Sequence, residues 1–496
     1  MTLGSLRRIA AWAILALVAC LLIEPALAQA PATPPAPTPN KGDTAWMLTA
    51  SVLVLLMTIP GLALFYAGLV RTKNVVSMLL QVFATVCLVC VLWVIYGYSI
   101  AFTSGGAWNA YAGGFSKMFL MGVNPDTTVA TFSNGVVIPE YVYICFQMTF
   151  AAITPAIILG GMAERMKFSA MMLFMGLWVT FVYFPMAHMV WYWAGPDALA
   201  DAAKKVAEAA AGPAKVEAEA ALAAVQADAG LAFQWGAIDF AGGTVVHINS
   251  GMAALVGALI LGRRVGYRQE PMPPHSITLT CVGAALLWVG WFGFNAGSNL
   301  ESNGTTALAM INTFVATAAA ALSWMVFEMM FKWKASLLGI VTGAVAGLVA
   351  VTPASGFAGP MGAMVLGAVA GAVCLFFCTA IKSLLRYDDS LDVFGVHCIG
   401  GIVGAIGTGL LVSPEFGGTG ILDYVVSPGS AKVAEYARDV QLMAQLKAVG
   451  LTLAWSAVGS AIIFKVVDIV IGLRVSEEQE REGLDLAQHA ERGYSY

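Results

Sequence analysis

Eleven apolar runs, each long enough to cross a bilayer as a helix, constrain this chain more than any other feature of its sequence. A hydrocarbon core of about 30 Å takes roughly 20 apolar residues as α-helix, and lipid offers no water to an open backbone. The runs lie near 44–70, 76–103, 138–163, 168–193, 237–262, 275–298, 305–331, 336–353, 359–381, 393–413 and 446–472. An all-α polytopic membrane protein is therefore expected. Composition agrees: 59% of the 496 residues are hydrophobic, 11% are charged and mean hydropathy is +0.80, whereas soluble domains carry about 25% charge. A net charge of −4 with no long basic run leaves no footprint for nucleic acid. The eight cysteines all fall in apolar stretches, so no disulfide framework is implied. Cys87 with Cys90, and Cys374 with Cys378, read as small packing hydrophobes despite their metal-like spacing.

Ahead of the first run, Arg7 and Arg8 precede an apolar stretch from Ile9 to Ile23 and the small-residue pattern Ala26, Leu27, Ala28. That order predicts a cleavable signal peptide over 1–28. The alternative is a lipoprotein box at Cys20, but the residues after Cys20 stay apolar. A Pro-rich spacer over 29–43 follows, placing the mature N-terminus in the periplasm. Alternate span ends should then face the cytoplasm and carry the Lys and Arg excess. They carry Arg71, Lys73, Arg165, Lys167, Arg263, Arg264, Arg268, Lys332, Lys334, Lys382, Arg386 and Arg474. The membrane domain is thus expected over 44–472. An Ala-rich periplasmic insertion at 197–230 reads as a solvated helix. The polar tail, 473–496, is cytoplasmic and reads as a solvated end or a docking surface.

Within the spans a pattern recurs. Gly61, Phe65, Ala67 and Gly68 in the first have the spacing of Gly290, Phe294, Ala296 and Gly297 in the sixth; Asp239 precedes His247 by eight residues, as Asp389 precedes His397. Spans one to five and six to ten read as two copies, and an odd number of spans per copy inverts one against the other, the arrangement that puts substrate sites near the bilayer midplane. His247 and His397, ionisable and deep in lipid, are the leading functional candidates. Two imidazoles in contact can share a proton and pass it on. His188, His275 and His489 offer no obvious third nitrogen, so no metal site is expected. Asp239 is read either as a helix cap or as a charge that assists a cation at the mouth. Phe146, Phe150, Trp191, Trp291 and Phe294 present aromatic faces that attract cations, and Ser298 presents a hydroxyl.

Longer motifs are more specific: IPGLALFYAGLVR from Ile59, MAERMKFSA from Met162, DFAGGTVVHINSG from Asp239, GWFGFNAGS from Gly290 and DVFGVH from Asp392. In these the chain resembles the Amt branch of the Amt/Mep/Rh ammonium transporters, from about Thr44 to the end of the tail. The resemblance implies a homotrimer in the bacterial inner membrane with one pore per subunit. It implies outer recruitment of ammonium by Phe146, Phe150, Trp191 and Ser298, a gate of Phe150 and Phe294, a pore and proton relay of His247 and His397, and an outer-site or structural acid at Asp239. Trp191 and Ser298 point away from the Rh branch, towards a scavenging transporter. No cofactor is implied; the implied partners are ammonium or ammonia, membrane lipid and a PII signal protein at the cytoplasmic face, with the segment from Gly472 resembling a regulatory tail. The insertion at 197–230 and the loop at 414–445 depart from the family pattern. Two rival readings stand beside this one: a sensor on the same fold, against which only a short tail follows the last span, and an enzyme, which would need a nucleophile or metal set that the sequence does not offer.

Overall fold

The computed structural model describes residues 37–332, 334–425 and 432–495; the signal peptide expected over 1–28 and most of the spacer lie outside them. Contacts divide the chain at Thr38, and the spans all belong to the unit from Pro39 onward. Among the described residues ten helices are long and apolar enough to cross a membrane: Lys41–Leu69, Thr72–Phe102, Glu140–Met162, Phe168–Trp191, Gly243–Leu261, Ile277–Gly297, Gly304–Phe331, Pro360–Leu385, Phe394–Leu411 and Arg438–Ile471. The eighth predicted run is a shorter apolar helix, Leu337–Val351. Each of the eleven runs thus corresponds to a helix, in a multi-pass membrane protein. The first helix begins inside the expected spacer, at Lys41, because Asn40 caps it by accepting the Gly42 N–H at 2.7 Å.

Two boundaries differ from the sequence reading for one shared reason. The fifth span starts at Gly243 rather than near 237, because Gly242 takes a left-handed φ of 108° and breaks the chain. The last span starts at Arg438 rather than 446, turning part of an expected polar loop into helix. Its polar residues serve the broken backbone ahead of the fifth span: the Gln445 amide donates to Ile238 O at 2.9 Å and accepts from Ile238 N at 2.8 Å, and Gln441 donates to Gly236 O at 3.0 Å. Residues 197–230 form two helices rather than one, Pro196–Glu208 and Pro213–Ala227, separated where Gly212 precedes Pro213.

The inverted repeat is visible in how the spans begin and meet. Both histidine-bearing helices open with a π-helical turn, Gly243–Ile248 and Phe394–Cys398, a widened turn common at functional sites. The first and sixth spans cross in near contact: a Cβ on Gly283 would lie 2.2 Å from Phe65 N, so only glycine permits that approach.

The basic span ends converge on one face, where the tail also lies. It does not hang free. Short helices Glu477–Glu482 and Leu484–His489 fold back, with Asp485 accepting the Val76 and Ser77 N–H groups at 3.1 and 2.8 Å, Asn74 accepting Leu484 N at 2.9 Å, and Lys73 donating to Arg481 O. This end is the tail face; the opposite end is the Trp191 face.

Candidate functional site

The two π turns bring His247 and His397 together from opposed helices, Nδ1 to Nδ1 at 3.2 Å, with ring centroids 5.3 Å apart. They are 1% and 6% exposed. A neutral imidazole has one N–H and one bare nitrogen, so this contact fixes the chemistry. One ring donates from Nδ1 and keeps Nε2 bare; the other accepts at Nδ1 and carries its proton on Nε2. When the bare Nε2 takes up a proton, the shared proton crosses and the other Nε2 gives up its own, both rings stay neutral and exchange roles, so a proton taken at one Nε2 leaves from the other. His247 Nε2 is buried without a hydrogen-bond partner among the described residues, an orphan that suits a passing polar molecule. Trp291 stacks on His247 at 5.4 Å and is itself locked by its indole N–H donating to Thr352 Oγ1 at 2.9 Å.

Towards the Trp191 face the His247 ring abuts Phe294 at 5.9 Å, and Phe294 stacks on Phe150 at 4.1 Å with 23° between planes. Both phenylalanines are buried. Phe146 lies 4.9 Å from Phe150, and Trp191 meets Phe150 edge-on at 5.9 Å. Ser298 donates its hydroxyl proton to Phe294 O at 2.8 Å. That leaves its two lone pairs as acceptors, which is what an N–H-bearing cation needs.

Asp239 sits just before the broken start of the fifth span, half-buried. Its Oδ1 accepts Gly242 N at 2.8 Å and Gly243 N at 2.7 Å; its Oδ2 accepts Thr244 N at 2.8 Å and the Thr244 hydroxyl. Its backbone oxygen accepts the Trp191 indole N–H at 3.1 Å. Asp239 therefore caps the histidine helix with its carboxylate and orients Trp191 with its backbone. Both oxygens are committed, which favours the cap over a free charge at the mouth.

Towards the tail face, His397 lines a cavity of about 710 Å³ whose wall includes Phe65, Tyr66, Glu164, Arg264 and Asp392. A buried ion network frames it. Arg264 pairs with Glu164 at 3.0 Å and Asp388 at 2.9 Å, while Arg71 pairs with Glu164 at 2.8 Å. Burial alone would raise both carboxyls, but Arg264 and Arg71 hold Glu164, and Arg264 and Arg165 hold Asp388, below the ordinary carboxylate range.

The structure thus links Phe146, Phe150, Trp191, Phe294, His247 and His397 through successive ring contacts, with Ser298 bonded to the Phe294 backbone and Asp239 to Trp191. The other histidines are elsewhere: His188 lies between Ala101 O and Asn109 O, His275 between Val70 O and the Tyr494 hydroxyl, and His489 against Ser77 and Phe168. Among the described residues no group of three or more His, Cys, Asp or Glu is arranged to hold a metal ion. Sequence reasoning did not single out Thr352, or the Glu164–Arg264–Asp388 network, whose arginines registered only as positive charge at span ends. Glu164 beside Arg165 in an otherwise apolar stretch was the available signal.

A model of the Ammonium Transporter Family matches residues 45–494. The chain is 42% identical over 459 residues to the ammonium transporter of Aquifex aeolicus, covering 92% of this chain and 94% of that protein. It is 39% identical over 457 residues to ammonium transporter Amt1 of Archaeoglobus fulgidus, covering 92% and 100%. Among solved structures, Saccharomyces cerevisiae Mep2 matches with a TM-score of 0.71 at 30% identity, covering 88% of this chain and 91% of that one.

Proposed function

The chain belongs to the ammonium transporter family, and on that premise we propose that it captures ammonium at the Trp191 face, deprotonates it there, and conducts ammonia past the Phe150–Phe294 stack and the His247–His397 pair. Carrying the intact ion through the stack would strip its water without replacing it, a cost of several kcal/mol for an unpaired charge. Ser298 and the faces of Phe146, Phe150 and Trp191 offset part of that loss at the mouth. Surrendering a proton removes the charge before the dry segment begins. Ammonia then needs only a few polar contacts, and the bare and protonated Nε2 positions of the histidine pair supply one acceptor and one donor.

The observation that carries this reading is the buried 3.2 Å Nδ1 contact directly behind the stacked phenylalanines. It joins a filter that favours a small neutral molecule to a pair that can move a proton by tautomer exchange. The released proton takes its own route inward through that pair. The charge bias of the span ends and the expected signal peptide support placing the Trp191 face in the periplasm and the tail face in the cytoplasm of a bacterial inner membrane. Family membership supports a homotrimer with one path per subunit, and the ordered tail beside the inner cavity supports a PII-type protein docking there. Purified protein in liposomes, given an ammonium pulse while current and lumenal pH are followed, tests the proposal. An ammonium-dependent response is expected; a silent protein of verified insertion would sink it.

A further inference from the structure

Two acids stand at matching places in the repeat, and capping accounts fully for only one. Asp239 and Asp389 each precede a pore histidine by eight residues, yet their surroundings differ. Asp239 spends both oxygens on capping bonds. Asp389 is fully buried; its Oδ2 accepts the Phe394 N–H at 2.7 Å, and its Oδ1 has no hydrogen-bond partner among the described residues. Its counterpart engages both oxygens, so the idle Oδ1 of Asp389 is left over from any capping role.

Among the described residues it has no ion pair of its own. Lys382 donates to the main-chain oxygen of Asp389 at 2.6 Å, but its ion pair is with Asp392, also at 2.6 Å. Arg264 and Arg165 are directed at Asp388, next in the chain. The remaining titratable groups that bear on it are Tyr66 from the first span, Cys378 from the ninth, and Tyr387. Tyr66, Cys378 and Asp392 line the cavity that ends on His397, as do Ser390 and Leu391 beside the acid. A buried carboxyl with half its acceptors idle is favoured as the neutral acid. Burial pushes it up to about 6, with Lys382 pulling down, Asp392 pushing up, and the Phe394 and Val393 N–H groups pulling down. Neutral and charged forms therefore interconvert close to neutral pH.

Building on the ammonia-conduction reading, we propose that Asp389 is the proton-return group at the tail-face end of the path. As the acid it gives its proton to the lone pair of ammonia that has passed His397, leaving a carboxylate and an ammonium ion. The proton surrendered at the Trp191 face and relayed through the histidine pair then restores the acid. One ammonium enters, one leaves, and the carboxyl is unchanged over a cycle. Asp389 lies in the turn ahead of the helix that begins at Phe394 and carries His397, so water in the cavity carries the proton between His397 and Asp389.

The test uses the full chain in proteoliposomes with the tail face inward, pulsed with external ammonium while lumenal pH is varied on either side of 6. The parent current should depend on lumenal pH with an inflection near 6. Asp389→Asn keeps an acceptor for the Phe394 N–H but cannot exchange a proton. Its current should fall at least about tenfold and lose that inflection, while half-saturation by external ammonium stays put. Asp389→Glu should regain a titrating profile. A conducting Asp389→Asn with the parent's current and lumenal-pH profile overturns the proposal. Should Asp389→Asn not assemble, infrared titration of the parent decides: a carboxylic-acid band persisting to near pH 6 supports it, and its absence overturns it. A parent with no ammonium current fails the transport reading and this proposal with it, a result distinct from a conducting parent indifferent to Asp389.

Discussion

Asp239→Ala removes the acceptor of three backbone N–H groups at the start of the histidine helix, those of Gly242, Gly243 and Thr244. These three residues are buried, so no side chain replaces the lost oxygens. Each unsatisfied donor costs about 1–3 kcal/mol; allowing one of the three to find water at the half-exposed Asp239 position, the total is roughly 2–6 kcal/mol. Unfolding entropy of about 2 cal/mol/K per residue gives roughly 1 °C per kcal/mol for a chain of this length. The thermal midpoint in detergent should therefore drop by roughly 2–6 °C. Trp191, held through the Asp239 backbone, should keep its place in Asp239→Asn, which retains one acceptor oxygen, so that variant should lose less. The assay is a melting curve for parent, Asp239→Asn and Asp239→Ala, run with ammonium-pulse currents on the same preparations. If Asp239→Ala melts like the parent and loses only apparent affinity for ammonium, the capping argument is wrong and the carboxylate acts as a charge at the mouth.

Other expectations rest on the same contacts. Arg264→Gln leaves the fully buried Glu164 side chain with Arg71 alone and that of Asp388 with Arg165 alone, and should cost up to about 3–5 kcal/mol. Both carboxyls are held below their ordinary values in the fold, so the network's contribution is present above the unfolded values and lost as pH falls through the lower folded ones. The deficit of Arg264→Gln should thus be greatest near neutrality and shrink on acidification; a deficit constant from neutral to acid pH would contradict this. Ser298→Ala and Trp191→Leu should raise the ammonium concentration for half-maximal current more than they lower the maximum, and an equal loss at all concentrations would remove these residues from recruitment. Asp485→Ala frees the Val76 and Ser77 amides and should expose the tail to limited proteolysis without preventing membrane insertion; unchanged protease resistance would mean that other contacts hold it.

Spans were legible because lipid makes the same demand of every crossing segment, and the histidines were legible because an imidazole in such a segment needs a reason to be there. Where polar side chains serve a neighbour's backbone, the pattern misleads. Gln441 and Gln445 look like loop residues and are helix residues that complete the broken entry to the fifth span. Asp239 falls inside an apolar run and lies outside the helix it caps. Eight-residue spacing announced two equivalent acids, but only three-dimensional surroundings separate one with four hydrogen-bond donors from one with an idle oxygen. The tail's charge suggested a solvated end or a docking surface; its capping of the second span depends on Asn74, Val76 and Ser77, residues some 400 positions away.

The claim that ammonia crosses while its proton moves through the paired imidazoles is tested most directly by His247→Ala and His397→Ala in liposomes, with ammonium-driven current measured against the parent. Each substitution removes one end of the shared-proton contact, so each should abolish the ammonium-specific current in protein that still inserts and melts as a folded species. Parent-like, ammonium-specific current in either variant would contradict the account, because the proton would then be crossing without the pair.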